Sequence, residues 1–270
     1  MSLREIMETL RVERDSELIG LTTVTLHRPD VLNAINSQMH LELQEACREL
    51  REDSQTRVVI FTGAGRAFSA GADLKEAQPS GGDDDGASSE ANDPLEMRRR
   101  AERGGITSAA IEGLAQVTIA AVNGLAIGGA VVFLSAMDLR FAAASAWFSI
   151  PEIDLNIPLT WNALPRLMRE MGPARTRELV MTGDRFSAED ALRWGFLNHV
   201  TADDALLPAV RNLAAKLLTK DPLSLALTKS TTRALANLMV PTQGTHSDPE
   251  YLMLAQLLAE KRRHTGRQGR

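Results

Sequence analysis

The chain has 270 residues, 44% of them apolar and 24% charged, a balance that suits a soluble globular protein with one sizeable core. A net charge of −5 argues against nucleic acid or an anionic membrane as the main partner, because both recruit a basic face. The single cysteine, Cys47, excludes an intrachain disulfide framework, and its helical spacing with Leu43 and Leu50 reads as a buried core thiol.

Met1-Ser2-Leu3-Arg4-Glu5 carries charges and no apolar run, so no secretory signal is read there and cytoplasmic residence is expected. Ile19 to Leu26 reads as a strand, and Ser37 to Glu52 as an amphipathic helix with Met39, Leu43, Cys47 and Leu50 on one face. A strand over 58–62 leads into a loop of small residues beginning at Arg66. Pro79 to Ser89 is acidic and rich in turn formers, the composition of a solvated loop, and its position also suits a flexible lid. A helix around 95–114 and a strand over 117–122 follow, and Gly128-Gly129 opens a helix through Val131, Val132 and Leu134.

Residues 115–137 hold no formal charge and are long enough to cross a bilayer, but Gln116, Thr118, Asn123, Gly124, Gly128 and Gly129 interrupt them. The stretch parses as a buried strand, a tight turn and a buried helix. A strand over 138–143 precedes helices near 172–182 and 187–194. Pro173 suits a first helical turn and Gly183 a left-handed stop, while Ser187 and Asp190 form a capping box closed by Gly195. From Asp203 strand signals vanish, leaving helical stretches Asp203 to Lys220 and Pro222 to Leu238 before a polar break at Pro241-Thr242-Gln243-Gly244. The alternation implies α/β architecture and by itself equally fits a doubly wound sheet.

Two segments carry the chemistry. Phe68-Ser69-Ala70-Gly71-Ala72-Asp73-Leu74-Lys75-Glu76 and Asn123-Gly124-Leu125-Ala126-Ile127-Gly128-Gly129-Ala130 both follow apolar runs and place small residues where a backbone must approach a ligand. They read as two halves of an oxyanion hole, with amides free to point at an anion; for Gly128-Gly129 the alternative is simple close packing. Other motifs fail on detail. Gly63-x-Gly65 lacks the third glycine of a dinucleotide fingerprint, and no Gly-rich segment ends as a phosphate-binding P-loop does. Ala67 stands where a nucleophile elbow needs its first glycine, so Ser69 reads as a loop residue. No cluster has metal-ligand spacing.

These two segments, followed by Phe148-Ser149-Ile150-Pro151-Glu152-Ile153-Asp154-Leu155, resemble the signature of the crotonase family, the enoyl-CoA hydratase/isomerase group. The match runs from Ile19 to about Leu238. The resemblance implies a crotonase-type spiral of β-β-α turns with two roughly perpendicular sheets over residues 1–200, then a C-terminal helical region over 201–270 that makes oligomer contacts. A homotrimer or a dimer of trimers is expected.

By the same resemblance the oxyanion donors are the amides of Ala72 and Gly129, and the ligand is an acyl-CoA thioester, with coenzyme A entering as part of the substrate and no separate cofactor or metal. Adenine and pantetheine contacts fall on Val31, Leu32, Ala70, Asp73 and Leu74. Lys75 either pairs with a phosphate or is simply solvated. The tail at Lys261-Arg262-Arg263-His264 lacks the Phe and Lys pattern with which many relatives contact the nucleotide.

Family hydratases carry two glutamates, whereas here the first of those positions is Val132 and only Pro151-Glu152 is intact. A lone glutamate fits a 3-enoyl-CoA/2-enoyl-CoA isomerase, because one base shuttles the proton between C2 and C4. The stretch from Asn156 to Trp161 resembles the apolar pocket wall of those isomerases. Asp154 reads either as an auxiliary acid or as a residue that points away from the pocket. Three alternatives stand beside this reading: a structural Glu152 that caps the turn after Pro151, a hydratase with an atypical site, and a non-catalytic acyl-CoA-binding protein.

Overall fold

A computed structural model describes residues 7–77, 93–245, 247–255 and 257–258. The acidic stretch from Pro79 to Ser89 and the basic end at 261–264 lie outside the described residues.

Among the described residues ten strands form two mixed sheets. In chain order they are β1 (Leu10–Arg14), β2 (Leu21–Leu26), β3 (Val58–Gly63), β4 (Ala67–Ser69), β5 (Val117–Val122), β6 (Leu125–Ile127), β7 (Leu139–Ala143), β8 (Trp147–Ser149), β9 (Phe186–Ser187) and β10 (His199–Thr201). The larger sheet runs β1-β2-β3-β5-β7-β10 and the smaller β4-β6-β8-β9. The helices are α1 (Ser37–Glu52), α2 (Leu74–Ala77), α3 (Pro94–Glu112), α4 (Gly129–Ser135), α5 (Ala163–Thr182), α6 (Ala188–Arg193), α7 (Leu206–Leu218) and α8 (Pro222–Met239).

One unit repeats: a strand of the large sheet, a short strand of the small sheet, then helix. It runs β3-β4-α2, β5-β6-α4, and β7-β8 into the 3-10 turn Pro151–Leu155 and α5. Every residue of β3 and β5 is buried, as expected of parallel strands covered on both faces. Met39, Leu43, Cys47 and Leu50 of α1 enter the same core as α4 and the Leu206, Val210 and Ala214 face of α7. Burial pushes the Cys47 thiol up to about 12, which leaves it inert.

Several boundaries differ from expectation for identifiable reasons. The strand expected from Ile19 begins at Leu21, because Gly20 takes φ +97° in the preceding turn and Ile19 is exposed. β1 was not anticipated: it is a charged edge strand, antiparallel to β2, with one fully buried side chain. Ala67 to Ser69, read as loop, pairs with β6 as a strand too short to show a period. The helix expected near 172 starts at Ala163, and Gly172 breaks it at φ +76°, ψ 162°. Pro173 then opens the second half, Gly183 ends it at φ +68°, and the Ser187–Asp190 capping box closes on the next helix. Asp203 to Ala205 forms a 3-10 turn ahead of α7.

Candidate active site

Segment 28–35 and the loop after β4 are laced together by short bonds. Ala70 N–H donates to Leu32 O at 2.8 Å, Ile35 N–H to Gly71 O at 2.8 Å, and Asp73 N–H to Ile35 O at 2.9 Å. Arg28 Nη1 donates to Ala34 O (2.6 Å) and to Asp73 Oδ2 (2.8 Å). Burial pushes the Asp73 carboxyl up, but Arg28 and the amides of Lys75 and Glu76 outweigh it and hold the group below the usual carboxylate range. Asp73 is therefore committed to the lacing. Ser69 belongs to it too: its Oγ donates to Asn33 O (2.7 Å) and accepts from Gly71 N–H (3.1 Å). The expected ligand contacts Val31, Leu32, Ala70 and Leu74 thus sit on adjoining backbone, with Val31 and Leu74 exposed; Lys75 is exposed on α2.

The second segment meets this loop at a glycine. Gly71, at φ +81°, lies so close to Ile127 O that a β-carbon there would overlap it, and the same β-carbon would lie 3.5 Å from Gly129 N. Ala72 is exposed; among the described residues its amide, like that of Gly129, has no acceptor. Gly128 caps α4 at φ +52°, and its own N–H is taken by Ser149 O at 2.8 Å.

Strand register delivers the carboxylate. β6 and β8 run parallel with Ile127 opposite Ser149, so the residues that follow each strand emerge at the same end of the sheet. A β-carbon built on Gly128 would lie 2.5 Å from Glu152 Oε1, which puts the carboxylate in contact with the glycine turn. Among the described residues Glu152 Oε2 is sealed from solvent and has no hydrogen-bond partner, and burial, opposed only by a hydrogen bond from its own backbone, raises the group to about 7. A buried carboxylate with one oxygen left unpaired, raised to about 7 beside free amides, can move a proton to and from carbon at neutral pH. Asp154 points elsewhere, toward Gly183, where a β-carbon would meet its Oδ2 at 2.9 Å. Val132 is fully buried one turn into α4, and α4 carries no acid.

Trp161 closes the other flank. A β-carbon on Gly129 would overlap its Cζ3 and lie 2.6 Å from its Cη2, and one on Gly104 of α3 would overlap its indole core. Phe133 stacks on it at 5.6 Å and 23°, and the edge of His40 meets it at 4.9 Å and 80°. His40 bonds Thr107 Oγ1 through Nδ1 at 2.9 Å; burial, reinforced by the Arg103 charge, lowers its pKa to about 4, so the wall is uncharged at pH 7. Trp161 and Asn162 both have positive φ, +63° and +57°. Asp248 accepts from Asn162 N–H at 3.0 Å, and burial raises the Asp248 carboxyl.

Gly104, His40, Phe133 and Asp248 were not expected at the site. Only Gly104-Gly105 left a mark in the sequence: glycines inside a helical run cost about 1 kcal/mol each and signal close approach. The other three come from distant elements and follow no local pattern.

A family model described as enoyl-CoA hydratase/isomerase matches residues 17–269. A carnitinyl-CoA dehydratase from Salmonella paratyphi A is 37% identical over 239 residues, covering 86% of this chain and 83% of that protein. An enoyl-CoA hydratase from Bacillus anthracis superposes with TM-score 0.75 at 30% identity over 97% of this chain and 95% of its own. A monofunctional enoyl-CoA isomerase from M. smegmatis gives TM-score 0.68 at 29% identity over 85% and 94%. Matched over nearly its whole length in sequence and in fold, the chain belongs to the enoyl-CoA hydratase/isomerase (crotonase) family of enzymes acting on acyl-CoA.

Proposed function

We propose that this protein is an enoyl-CoA isomerase that moves a double bond by shuttling one proton. The thioester oxygen of a 3-enoyl-CoA accepts hydrogen bonds from the amides of Ala72 and Gly129, which favours the enolate formed when a C2 proton leaves. Ionised Glu152 takes that proton, the C3=C4 electrons delocalise into a dienolate, and Glu152 returns the proton to C4. The double bond then lies between C2 and C3 and the carboxylate is regenerated.

The observation that carries this reading is one buried carboxylate at the glycine turn among the described residues, with its Oε2 unpaired, and Val132 rather than an acid one turn into α4. One base suffices for a 1,3-proton shift, whereas addition of water needs a group to activate the water and another to manage the C2 proton. Val31, Leu32, Ala70, Asp73 and Leu74 form the laced ridge along which adenine and pantetheine lie, and Lys75 meets a phosphate. Trp161 and Val132 bound the acyl pocket.

A second reading is hydration or its reverse, and the 37% identity to a carnitinyl-CoA dehydratase favours it. A pair of assays separates the two. Purified protein given a 3-enoyl-CoA should yield the 2-enoyl isomer, and crotonyl-CoA should be hydrated slowly or not at all. Hydration at or above the common enzyme range, roughly 10 s⁻¹, gives the hydratase reading preference. Tight acyl-CoA binding with turnover of neither substrate leaves a non-catalytic binder.

A further inference from the structure

The consecutive glycines of the α4 turn face two different groups. Gly128 abuts Glu152, and Gly129 abuts the indole of Trp161. A thioester whose oxygen sits on the Gly129 amide must pass its next carbons between those two side chains. We propose that Trp161 is the end wall of the acyl pocket and restricts this enzyme to short acyl chains. The inference rests on the placement of the thioester given under Proposed function.

The wall is built to stay in place. Gly104 and Gly129 leave no room for a β-carbon under the ring, so α3 and α4 grip it from two elements. Phe133 stacks on the ring, and His40, anchored through Thr107, presses on it. Gln44 Nε2 in turn donates to Thr107 Oγ1 at 2.9 Å, which fixes the anchor. The backbone is held as firmly: Arg166 Nη1 donates to Trp161 O (3.3 Å) and Asn162 O (2.9 Å), while Glu112 pairs with Arg166 Nη2 at 2.6 Å. A bulky residue at φ +63° is an outlier that persists only where its surroundings over-determine it, and such positions cluster at functional sites. Swinging the ring aside would mean breaking contacts with α1, α3 and α4 together.

The same backbone supplies the cleanest test. Trp161→Gly removes the indole and relieves the positive φ, so it opens the pocket without demanding a strained fold. Calorimetric binding of butyryl-CoA, octanoyl-CoA and dodecanoyl-CoA is measured for the wild type, Trp161→Gly and Trp161→Phe. Each methylene that finds an apolar lining strengthens binding about fourfold, the equivalent of its transfer free energy. The wild type is expected to bind octanoyl-CoA no better than butyryl-CoA. In Trp161→Gly the octanoyl-to-butyryl affinity ratio rises at least about tenfold, with Trp161→Phe between the two. A wild type that gains affinity steadily with each methylene overturns the proposal and leaves the acyl-CoA reading standing. So does an unchanged ratio in both folded variants. Failure of wild type and variants alike to bind any of the three thioesters sinks the acyl-CoA placement itself, and the wall with it.

Discussion

At the scale of single residues, the surroundings of Glu152 set its acidity. Burial, only partly offset by a hydrogen bond from its own backbone, raises the group to about 7, so the free enzyme holds a mixture of acid and base at neutral pH. For an isomerase that needs the base, kcat/KM should fall about tenfold per pH unit below that value and level off above it. A pH–rate profile flat from pH 5 to 8 removes Glu152 from the role. Glu152→Gln should lower isomerase kcat by about 10²–10⁴-fold and leave acyl-CoA affinity nearly unchanged. The same group bears on stability, with a sign that follows from its raised value. The folded state binds the extra proton, so this contribution is full below about 4.5 and is lost as pH rises through about 7. Relative to the wild type, Glu152→Gln should gain up to about 3 kcal/mol in stability between pH 4.5 and 8, as read by denaturant titration at both pH values.

At the scale of elements, the site is a meeting of loop ends, and each end has its own fastening. Gly129 holds the first position of α4, where a proline fits the helix but removes the N–H. Gly129→Ala is the matched control, because it adds the same clash with Trp161 and keeps the donor. Turnover of Gly129→Pro should lie about 10²-fold or more below that of Gly129→Ala, the scale of one lost oxyanion donor. Equal turnover in the two folded variants dismisses the Gly129 amide. Ser69 fastens the other half: it is fully buried and ties Asn33 O to Gly71 N–H. Ser69→Ala should cost about 1–3 kcal/mol in stability by thermal or denaturant unfolding, the price of buried groups left unpaired.

At the scale of the whole molecule, α8 presents an exposed apolar face. Lys229 anchors it to Gln116 O (2.7 Å) and Asp138 (2.6 Å), and Arg233 reaches Glu112 O (2.5 Å). Leu223, Leu227, Leu235 and Leu238 remain exposed, between 56% and 80%, at spacings that put them on one helical face. We propose that a second copy of this chain covers that face, the kind of oligomer contact expected of the C-terminal region. Light scattering on a sizing column should give a multiple of three subunits, and Leu227→Glu with Leu235→Glu should reduce it; a monomeric wild type contradicts the assembly. No helix among the described residues is long and apolar enough to cross a membrane, as the polar interruptions of 115–137 imply. The sequence by itself determined what local physics governs: the buried face of α1, the caps at Pro173, Gly183 and Ser187, the two glycine-rich segments, and the Pro-Glu pair. Those signals lie within a turn or a strand of one another, so spacing and residue type suffice to read them. Only the tertiary structure decided that Glu152 abuts Gly128, since that follows from the parallel register of β6 and β8 across more than twenty residues of chain. It alone aimed Asp154 at Gly183, and it alone drew His40, Gly104, Phe133 and Asp248 around Trp161 and Asn162. Such contacts join residues that share no period, and packing between distant elements is what brings them together.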